Sequence, residues 1–245
     1  MYKRDIYTIG ENTKIAKDVY YMTLFGDTSF ITAPGQFINI ELEGFYLRRP
    51  ISICDWDKEK IDIIYKVVGA GTEKMAEMAV GTQLDILTGL GNGFTIKAES
   101  NTPLVIGGGV GTPPMYNLAK QLIQQGKKPT VILGFTSKDD VFYEEEFKAL
   151  GCEVYVTTND GSYGTKGFVT DVIKNLEGYD YFYTCGPLPM LKAVAMGTEC
   201  SGQLSFEERM GCGFGGCMGC SCKTLTGNKR ICTEGPVLVK EEIIW

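Results

Sequence analysis

Cysteine is concentrated near the C-terminus of this chain of 245 residues. Five of the nine cysteines lie in the segment 209–232, which reads RMGCGFGGCMGCSCKTLTGNKRIC. Cys212, Cys217 and Cys220 have the spacing C-x4-C-x2-C, and Cys232 follows after eleven intervening residues. Such spacing, with a distant fourth thiolate, is typical of the plant-ferredoxin type of [2Fe–2S] cluster. We therefore predict that these four cysteines bind a [2Fe–2S] cluster.

Cys222 creates a second possible register, because Cys217 and Cys222 are also separated by four residues. A register that starts at Cys217 would need a cysteine at position 225, and that residue is Leu225. We therefore expect Cys222 not to be a ligand. A four-cysteine zinc site and a group of structural thiols are the alternatives. A zinc ribbon usually has two C-x2-C pairs, whereas this segment has one.

Two glycine-containing turns further upstream are typical of nucleotide binding. The stretch VIGGGVGTPPMYNLA at 105–119 lies between a strand pattern and a helix pattern, although Thr112 stands where G-x-G-x-x-G has its third glycine. CGPLPM at 185–190 follows another strand pattern. Because the carboxyl ends of parallel strands meet at one edge of a sheet, both turns are expected at one site. A plain strand–helix turn and a proline-rich helix start are the structural alternatives.

The first half of the chain offers a second anion site. RRPIS at 48–52 places two guanidinium groups beside a serine, and arginine suits bidentate phosphate binding. GAGT at 69–72 precedes KMAEMAV, a pattern that indicates a helix start, and backbone amides there suit a pyrophosphate. The alternative for RRPIS is a solvated surface strand.

Composition narrows the function classes. Lys and Arg number 24 and Asp and Glu 30, for a formal charge of −6, which argues against a nucleic-acid-binding or anionic-membrane-binding protein. The absence of histidine excludes Rieske clusters, histidine-ligated zinc and His-dependent catalysis. No apolar run reaches the length of a membrane-spanning helix, and the N-terminus lacks the apolar region of a secretory signal. We expect a cytoplasmic protein, in which clustered cysteines indicate metal binding.

Three segments position these motifs. Short β-type runs separated by turn residues predict an N-terminal antiparallel β-barrel domain, residues 1–99. Strand patterns that alternate with helix patterns predict a Rossmann-like, doubly wound nucleotide domain, residues 100–201. Residues 202–245 are rich in Gly and Cys, and we predict that they form a small C-terminal [2Fe–2S] segment.

A barrel with R-P-x-S, followed by GGGxGxxP and CGPxPM, resembles the ferredoxin-NADP reductase superfamily over residues 1 to about 200. Together with SFEERMGCGFGGCMGCSC and ICTEGPVL, the whole chain resembles the electron-transfer subunits of NAD-dependent (type 1B) dihydroorotate dehydrogenases. The resemblance implies FAD, NAD and cluster sites in one chain, and no catalytic residue of its own.

The resemblance assigns residues to each cofactor. The implied FAD contacts are Arg49, Pro50, Ile51, Ser52, Ile64, Tyr65, Lys66, Gly71 and Thr72. The implied NAD contacts are Gly108, Gly109, Gly111, Thr112, Pro113, Cys185, Gly186 and Pro187. The family's cluster ligands fall on Cys212, Cys217, Cys220 and Cys232. Ile51 departs from the superfamily, which usually has a flavin-stacking tyrosine at that position.

The resemblance also implies a partner and a pathway. A separate FMN-containing catalytic subunit would oxidise dihydroorotate, and electrons would pass through the [2Fe–2S] cluster and FAD to NAD⁺, in UMP biosynthesis. A heterotetramer of two catalytic and two electron-transfer subunits is expected. The alternatives are the small subunit of a related NAD(P)H–ferredoxin oxidoreductase or sulfide dehydrogenase, and a non-catalytic redox sensor. TTNDGSYG, with Asp160 and no cation, favours NAD over NADP because a carboxylate repels the 2′-phosphate.

Overall fold

The computed structural model describes residues 2–245 and begins with a closed antiparallel barrel of six strands. The strands are β1 (Lys3–Ala16), β2 (Val19–Phe25), β3 (Phe37–Ile40), β4 (Arg49–Trp56), β5 (Lys60–Lys66) and β6 (Gln83–Leu90). Around the barrel they follow the order β1-β2-β5-β4-β3-β6. The predicted N-terminal barrel is thus confirmed. The β-type runs of the sequence, DVYYMTLFG, GQFINIEL, RRPISICDW, KIDIIYKVV and TQLDILTGLG, correspond to β2–β6.

The sequence patterns do not predict strand β1, because many of its residues are polar or exposed. Tyr7 and Ile9 alternate into the barrel core, where Ile38, Ile40 and Ile63 also lie. A short helix, α1 (Ala70–Ala76), follows β5. It begins within GAGT, before the predicted start at KMAEMAV.

The remaining strands build a seven-stranded sheet and a small hairpin. They are β7 (Pro103–Gly108), β8 (Thr130–Phe135), β9 (Glu153–Thr158), β10 (Thr165–Lys166), β11 (Tyr181–Cys185), β12 (Gly202–Ser205), β13 (Ser221–Thr224), β14 (Gly227–Arg230) and β15 (Val237–Val239). The large sheet has the order β10-β9-β8-β7-β11-β12-β15, and its strands are parallel except for β15 at one edge. The hairpin consists of β13 and β14.

Helices cover both faces of the large sheet, as a doubly wound fold requires. They are α2 (Thr112–Gln124), α3 (Glu144–Ala149), α4 (Val169–Ile173) and α5 (Leu188–Gly197). Val105 of β7 packs in the apolar layer with Leu118 of α2, whereas its neighbour Leu104 packs in the layer with Leu191 of α5. This alternation confirms the predicted Rossmann-like fold.

The C-terminal segment is anchored on both larger units. Strands β12 and β15 belong to the nucleotide sheet, although the predicted limits assign residues 202–245 to the [2Fe–2S] segment. Phe37, Leu87 and Leu90 of the barrel share an apolar cluster with Cys220 and Cys232. The domain limits themselves stay a prediction, because a segment that shares both a sheet and a core has no sharp boundary.

Candidate functional site

A cleft of about 1260 Å³, here called the interdomain cleft, lies between the barrel and the nucleotide sheet. One wall comes from β4, β5 and the start of α1, and the other from the turns after β7 and β11. Predicted FAD residues on its wall are Arg49, Pro50, Ile51, Ser52, Ile64, Tyr65, Lys66 and Thr72. Predicted NAD residues on its wall are Gly108, Gly109, Gly111, Cys185, Gly186 and Pro187. The fold thus brings the two predicted nucleotide sites together.

The two arginines of RRPIS have different surroundings. Arg48 pairs with Glu41 and, at 2.6 Å, with Asp85, and its side chain is 17% exposed. Among residues 2–245, no carboxylate lies within ion-pair distance of Arg49, whose guanidinium carbon is 4.7 Å from the Phe45 ring centroid. Arg49 is therefore a cation of the barrel wall of the cleft that remains available to an anionic ligand.

The start of α1 lies directly against Arg49. Gly71 packs so closely on the guanidinium that an added Cβ would overlap it. The Thr72 hydroxyl accepts the Val68 amide at 2.9 Å and donates to the Gly69 carbonyl at 3.0 Å, so it organises the turn itself. A cationic side chain beside a turn of this kind suits a pyrophosphate.

The β5 residues of the cleft differ in their roles. The Tyr65 hydroxyl donates to Asn12 at 2.9 Å, and burial strongly raises the pKa of Tyr65, so the phenol remains protonated. Lys66 reaches across the cleft to Asp140 at 3.6 Å. Lys66 thus connects the barrel with the nucleotide domain.

On the opposite wall, the phosphate-type turn packs tightly against the next loop. A Cβ on Gly111 would overlap the Cys185 carbonyl, which explains why glycine stands there. Thr112 and Pro113, also predicted to contact NAD, are buried in the first turn of α2 and do not line the cleft. Burial raises the pKa of the Cys185 thiol to about 12, and Ser205 is its hydrogen-bond partner.

Asp160, on which the predicted NAD preference rests, follows β9. Its carboxylate accepts the Ser162 amide and hydroxyl at 2.9 and 2.7 Å, and these bonds lower the pKa of Asp160. Its neighbour Asn159 lines the cleft, together with Thr136. The preference for NAD stays a prediction.

Several cleft residues were missed by the sequence reading. Phe37 of β3 lines the cleft, and so does the run from Ser205 to Met210 that leaves β12. A signal for this run was available, since it follows a parallel strand and directly precedes the first clustered cysteine. This run leads from the cleft wall into the segment 210–220, here called the cysteine loop.

The four predicted ligand cysteines are arranged as two pairs. In the first pair, the Cys212 amide donates to the Cys217 sulfur at 3.5 Å, and the Cys217 amide to the Cys212 sulfur at 3.4 Å. In the second pair, the Cys232 amide donates to the Cys220 sulfur at 3.4 Å. Two dithiol pairs suit a centre of two iron atoms, whereas zinc needs four thiolates around one ion. Within the described chain, no group of three or more His, Cys, Asp or Glu side chains is arranged around a single ion.

The two pairs have different electrostatic surroundings. Burial raises the pKa of Cys212, but amide hydrogen bonds from residues 214, 217 and 216 outweigh it and lower the pKa to about 6. Burial and the neighbouring Cys220 raise the pKa of Cys232 to about 12. Backbone amides thus stabilise the thiolate of Cys212 in the first pair, while the second pair lies in the apolar cluster against the barrel.

Cys222 lies on β13, opposite Lys229, rather than on the cysteine loop. Burial raises its pKa, and its side chain packs at the edge of the apolar cluster. It forms no disulfide, and none of the cysteines within residues 2–245 does. This placement supports its predicted role as a bystander.

Two protein-family models match this chain. Residues 207–244 match the iron–sulfur cluster binding domain of dihydroorotate dehydrogenase B. Residues 105–196 match the oxidoreductase NAD-binding domain. The two matches coincide with the cysteine segment and with the nucleotide sheet.

Curated relatives match over nearly the full length. The dihydroorotate dehydrogenase B (NAD⁺) electron transfer subunit of Fusobacterium nucleatum subsp. nucleatum is 45% identical, with 96% of each chain covered. The subunit of the same name from Shouchella clausii is 44% identical, with 99% of this chain and 98% of the relative covered.

Solved structures share the fold. A chain of the NADH-dependent reduced ferredoxin-NADP oxidoreductase superposes with a TM-score of 0.90 at 30% identity, covering 98% of this chain and 90% of that one. The ferredoxin reductase of carbazole 1,9a-dioxygenase superposes with a TM-score of 0.70 at 24% identity, covering 80% and 64%. The latter likeness concerns the fold alone.

Proposed function

This chain belongs to the family of electron transfer subunits of dihydroorotate dehydrogenase B (NAD⁺), and we propose that it carries electrons from a dihydroorotate-oxidising partner to NAD⁺. The observation that carries the proposal is the continuity of the interdomain cleft. Its wall runs from the nucleotide turns, past β4 and Phe37, to the residues that enter the cysteine loop. Sites for three redox groups thus adjoin one another.

FAD fits the barrel wall of the cleft. Arg49, free of carboxylate partners among the described residues, and the turn at Gly71 and Thr72 would hold the pyrophosphate. Pro50 and Ser52 of β4 also line the cleft and would contact the flavin. Ile51 also lines the cleft, but its packing with the barrel core gives it an aliphatic contact rather than ring stacking.

NAD fits the opposite wall. Gly109 leaves room for a phosphate group to approach the backbone, while Gly108 and Gly111 let this turn pack closely on the neighbouring turn at residues 185–187. The Asp160 carboxylate after β9 would repel a 2′-phosphate, and this repulsion supports the preference even though Lys166 packs against the adjacent Gly161. We therefore retain the proposed preference for NAD.

The four cysteines fit a [2Fe–2S] cluster. Their donor set is four thiols in two pairs, and backbone amides already point at the sulfurs, as iron–sulfur sites require for tuning their potential. Cys212 and Cys217 would bind one iron, and Cys220 and Cys232 the other. When bound, the cluster supplies one-electron transfer, and FAD couples single electrons to hydride transfer with NAD⁺.

This chain's own residues bind and orient these groups, and dihydroorotate oxidation belongs to the partner. With no histidine in the sequence, the chain lacks the commonest general base. We propose an FMN-containing catalytic subunit as partner, in a two-plus-two heterotetramer in the cytoplasm, acting in pyrimidine biosynthesis. No helix within residues 2–245 is long and apolar enough to span a membrane.

The test is co-expression with the catalytic subunit, followed by an assay of dihydroorotate-dependent NAD⁺ reduction. The complex should reduce NAD⁺, while either subunit by itself should not. The purified chain should contain about one FAD and about two irons. Zinc in place of iron, or no coupling of dihydroorotate oxidation to NAD⁺, would contradict the proposal.

A second candidate is the small subunit of an NAD(P)H–ferredoxin oxidoreductase. Its support is the solved oxidoreductase chain that covers 98% of this one at 30% identity. The greater identity of 45% to the dihydroorotate dehydrogenase subunit favours the first candidate. Ferredoxin-dependent NADP⁺ reduction by the purified complex, without activity on dihydroorotate, would reverse this ranking.

A further inference from the structure

Asn39 lies on the barrel strand that separates the cleft from the cysteine loop. Strand β3 is hydrogen-bonded to β4, and Asn39 pairs with Pro50 in this register. Its neighbours Ile38 and Ile40 point into the barrel core, so Asn39 points to the outer face. Even so, Asn39 is only 1% exposed, because the C-terminal segment covers it.

One end of the Asn39 side chain holds the cysteine loop. Its Nδ2 donates to the backbone carbonyl of Cys212 at 3.1 Å, across 173 residues of sequence. Its Oδ1 is buried without a hydrogen-bond donor in the described part of the chain. A buried carbonyl oxygen without a donor is costly, and an apolar side chain of similar size would avoid this cost. The amide at this position is therefore accounted for by the hydrogen bond that its Nδ2 donates to Cys212.

Phe37, two residues earlier on the same face of β3, extends this contact. It lines the interdomain cleft, and it also belongs to the apolar cluster that contains Cys220 and Cys232. The outer face of β3 thus adjoins both cysteine pairs: Asn39 is hydrogen-bonded to Cys212 of the first pair, and Phe37 shares an apolar cluster with the second. The same strand is paired with β4, which carries the predicted FAD residues.

We propose that Asn39 is a positioning residue for electron transfer, which holds the Cys212 end of the cysteine loop at a set place relative to the β3–β4 pair. This inference rests on the proposed function, since it concerns transfer between the flavin and cluster sites. Electron-transfer rates fall exponentially with the separation of the redox groups, so a loop released from β3 transfers electrons more slowly. Amides of the same loop donate hydrogen bonds to the Cys212 sulfur. Release of the loop from Asn39 therefore also shifts the reduction potential of the cluster.

The decisive variant is N39L, which keeps the branching and the number of side-chain heavy atoms and removes the donor. NADH is mixed with the FAD- and cluster-loaded chain, and flavin and cluster reduction are followed by visible absorption. Each NADH becomes NAD⁺ and supplies two electrons, of which the cluster accepts one and the flavin keeps the other. We expect flavin reduction at an unchanged rate, slower cluster reduction, and altered electron paramagnetic resonance of the reduced cluster. Iron release to a chelator should become about five- to tenfold faster, the effect of one lost neutral hydrogen bond.

Asn92 provides the matched control. Its amide also joins the barrel to the C-terminal segment, with bonds to the Glu234 and Val237 carbonyls at 3.1 and 2.7 Å, downstream of the cysteines. N92A should lower thermal stability without changing the ratio of cluster to flavin reduction rates. If N39L and N92A lowered the rate of cluster reduction equally, Asn39 would be only a general contact between the barrel and the C-terminal segment. That result would overturn the proposal. Unchanged cluster reduction and resonance in N39L would also overturn it.

A third variant covers the case in which N39L fails to retain a cluster. N39S keeps a shorter donor and should retain iron, with a cluster reduction rate between those of N39L and the unaltered chain. If N39S, like N39L, contained no iron, this result would contradict the positioning role. These comparisons begin from a loaded unaltered chain, so an unaltered chain without FAD or iron would instead refute the proposed function.

Discussion

Arg48 and Arg49 are adjacent in the sequence, yet their surroundings give them different roles. The Arg48 side chain is nearly covered and bonds Asp85 and Glu41, as well as the Asp85 carbonyl at 3.0 Å. Arg49 stacks over Phe45 and faces the cleft. At this scale, partners rather than residue type decide which cation serves a ligand.

The first prediction compares these two arginines. R49A should weaken FAD binding by about tenfold or more, because a charge-assisted hydrogen bond to phosphate contributes about 1.5–3 kcal/mol. R48A should retain FAD and lower the melting temperature, because it removes the partly buried ion pairs of Arg48 with Asp85 and Glu41 and leaves Asp85 paired with Arg4 alone. Flavin content after dialysis and thermal unfolding measure the two effects. A greater loss of FAD in R48A would reverse the assignment.

The second prediction concerns the cysteine register. C232S should abolish or strongly destabilise the cluster, because Cys232 is 2% exposed and pairs with Cys220. C222S should leave the cluster intact, because Cys222 lies on the hairpin strand β13. Visible absorption and iron content distinguish the two. An unchanged iron–sulfur spectrum in C232S would exclude it as a ligand.

Among the elements, two neighbouring turns determine the nucleotide wall. The turn between β7 and α2 packs on the turn between β11 and α5, and Met190 of α5 contacts Gly108. Both turns follow parallel strands that are hydrogen-bonded to each other, so they meet at one edge of the sheet. Small residues are needed there because the two backbones approach each other closely.

The third prediction tests this close approach. G111A should raise the KM for NADH at least about tenfold, because its Cβ would overlap the Cys185 carbonyl and displace both turns. G197A is the control, because a Cβ at this helix end meets no atom of the described chain within 4 Å. NADH-dependent dye reduction measures both variants. A normal KM in G111A would show that the turns can separate without loss of NADH binding.

At the scale of the whole molecule, polar contacts hold the barrel on the nucleotide sheet. Asp55 of β4 accepts hydrogen bonds from Lys120 at 2.6 Å and from Asn117 at 2.5 Å, both on α2. Lys66 and Asp140 add a second ion pair across the cleft. The cleft exists only while the two halves keep this orientation.

The fourth prediction follows from the Asp55 contacts. D55A should cost about 2 kcal/mol, since it removes two charge-assisted hydrogen bonds and leaves Lys120 unpaired. That loss corresponds to a fall of about 4–8 °C in melting temperature for a protein of this size, with weaker FAD binding. E145A is the control, because Glu145 is exposed and pairs with Lys148 in the same helix. Similar thermal shifts in both variants would argue against a role in joining the halves.

The sequence by itself determined the cofactor chemistry and the fold class. The C-x4-C-x2-C spacing, the phosphate-type turns and RRPIS are local patterns. Such patterns can be recognised in a sequence because the interacting groups lie a few residues apart. The alternation of strands and helices determined the nucleotide sheet for the same reason. Strand β1 was missed because its exposed polar residues conceal an alternation that only the barrel core reveals.

Only the tertiary structure decided which residues share a surface. It gave Arg48 carboxylate partners and left Arg49 facing the cleft. It also placed Thr112 and Pro113 away from the cleft wall. Strands β12 and β15, which follow the predicted start of the cysteine segment, belong to the nucleotide sheet. The tertiary structure also placed Asn39 against Cys212. Such contacts join residues far apart in the chain, and they form through packing of whole elements, which no short stretch of sequence encodes.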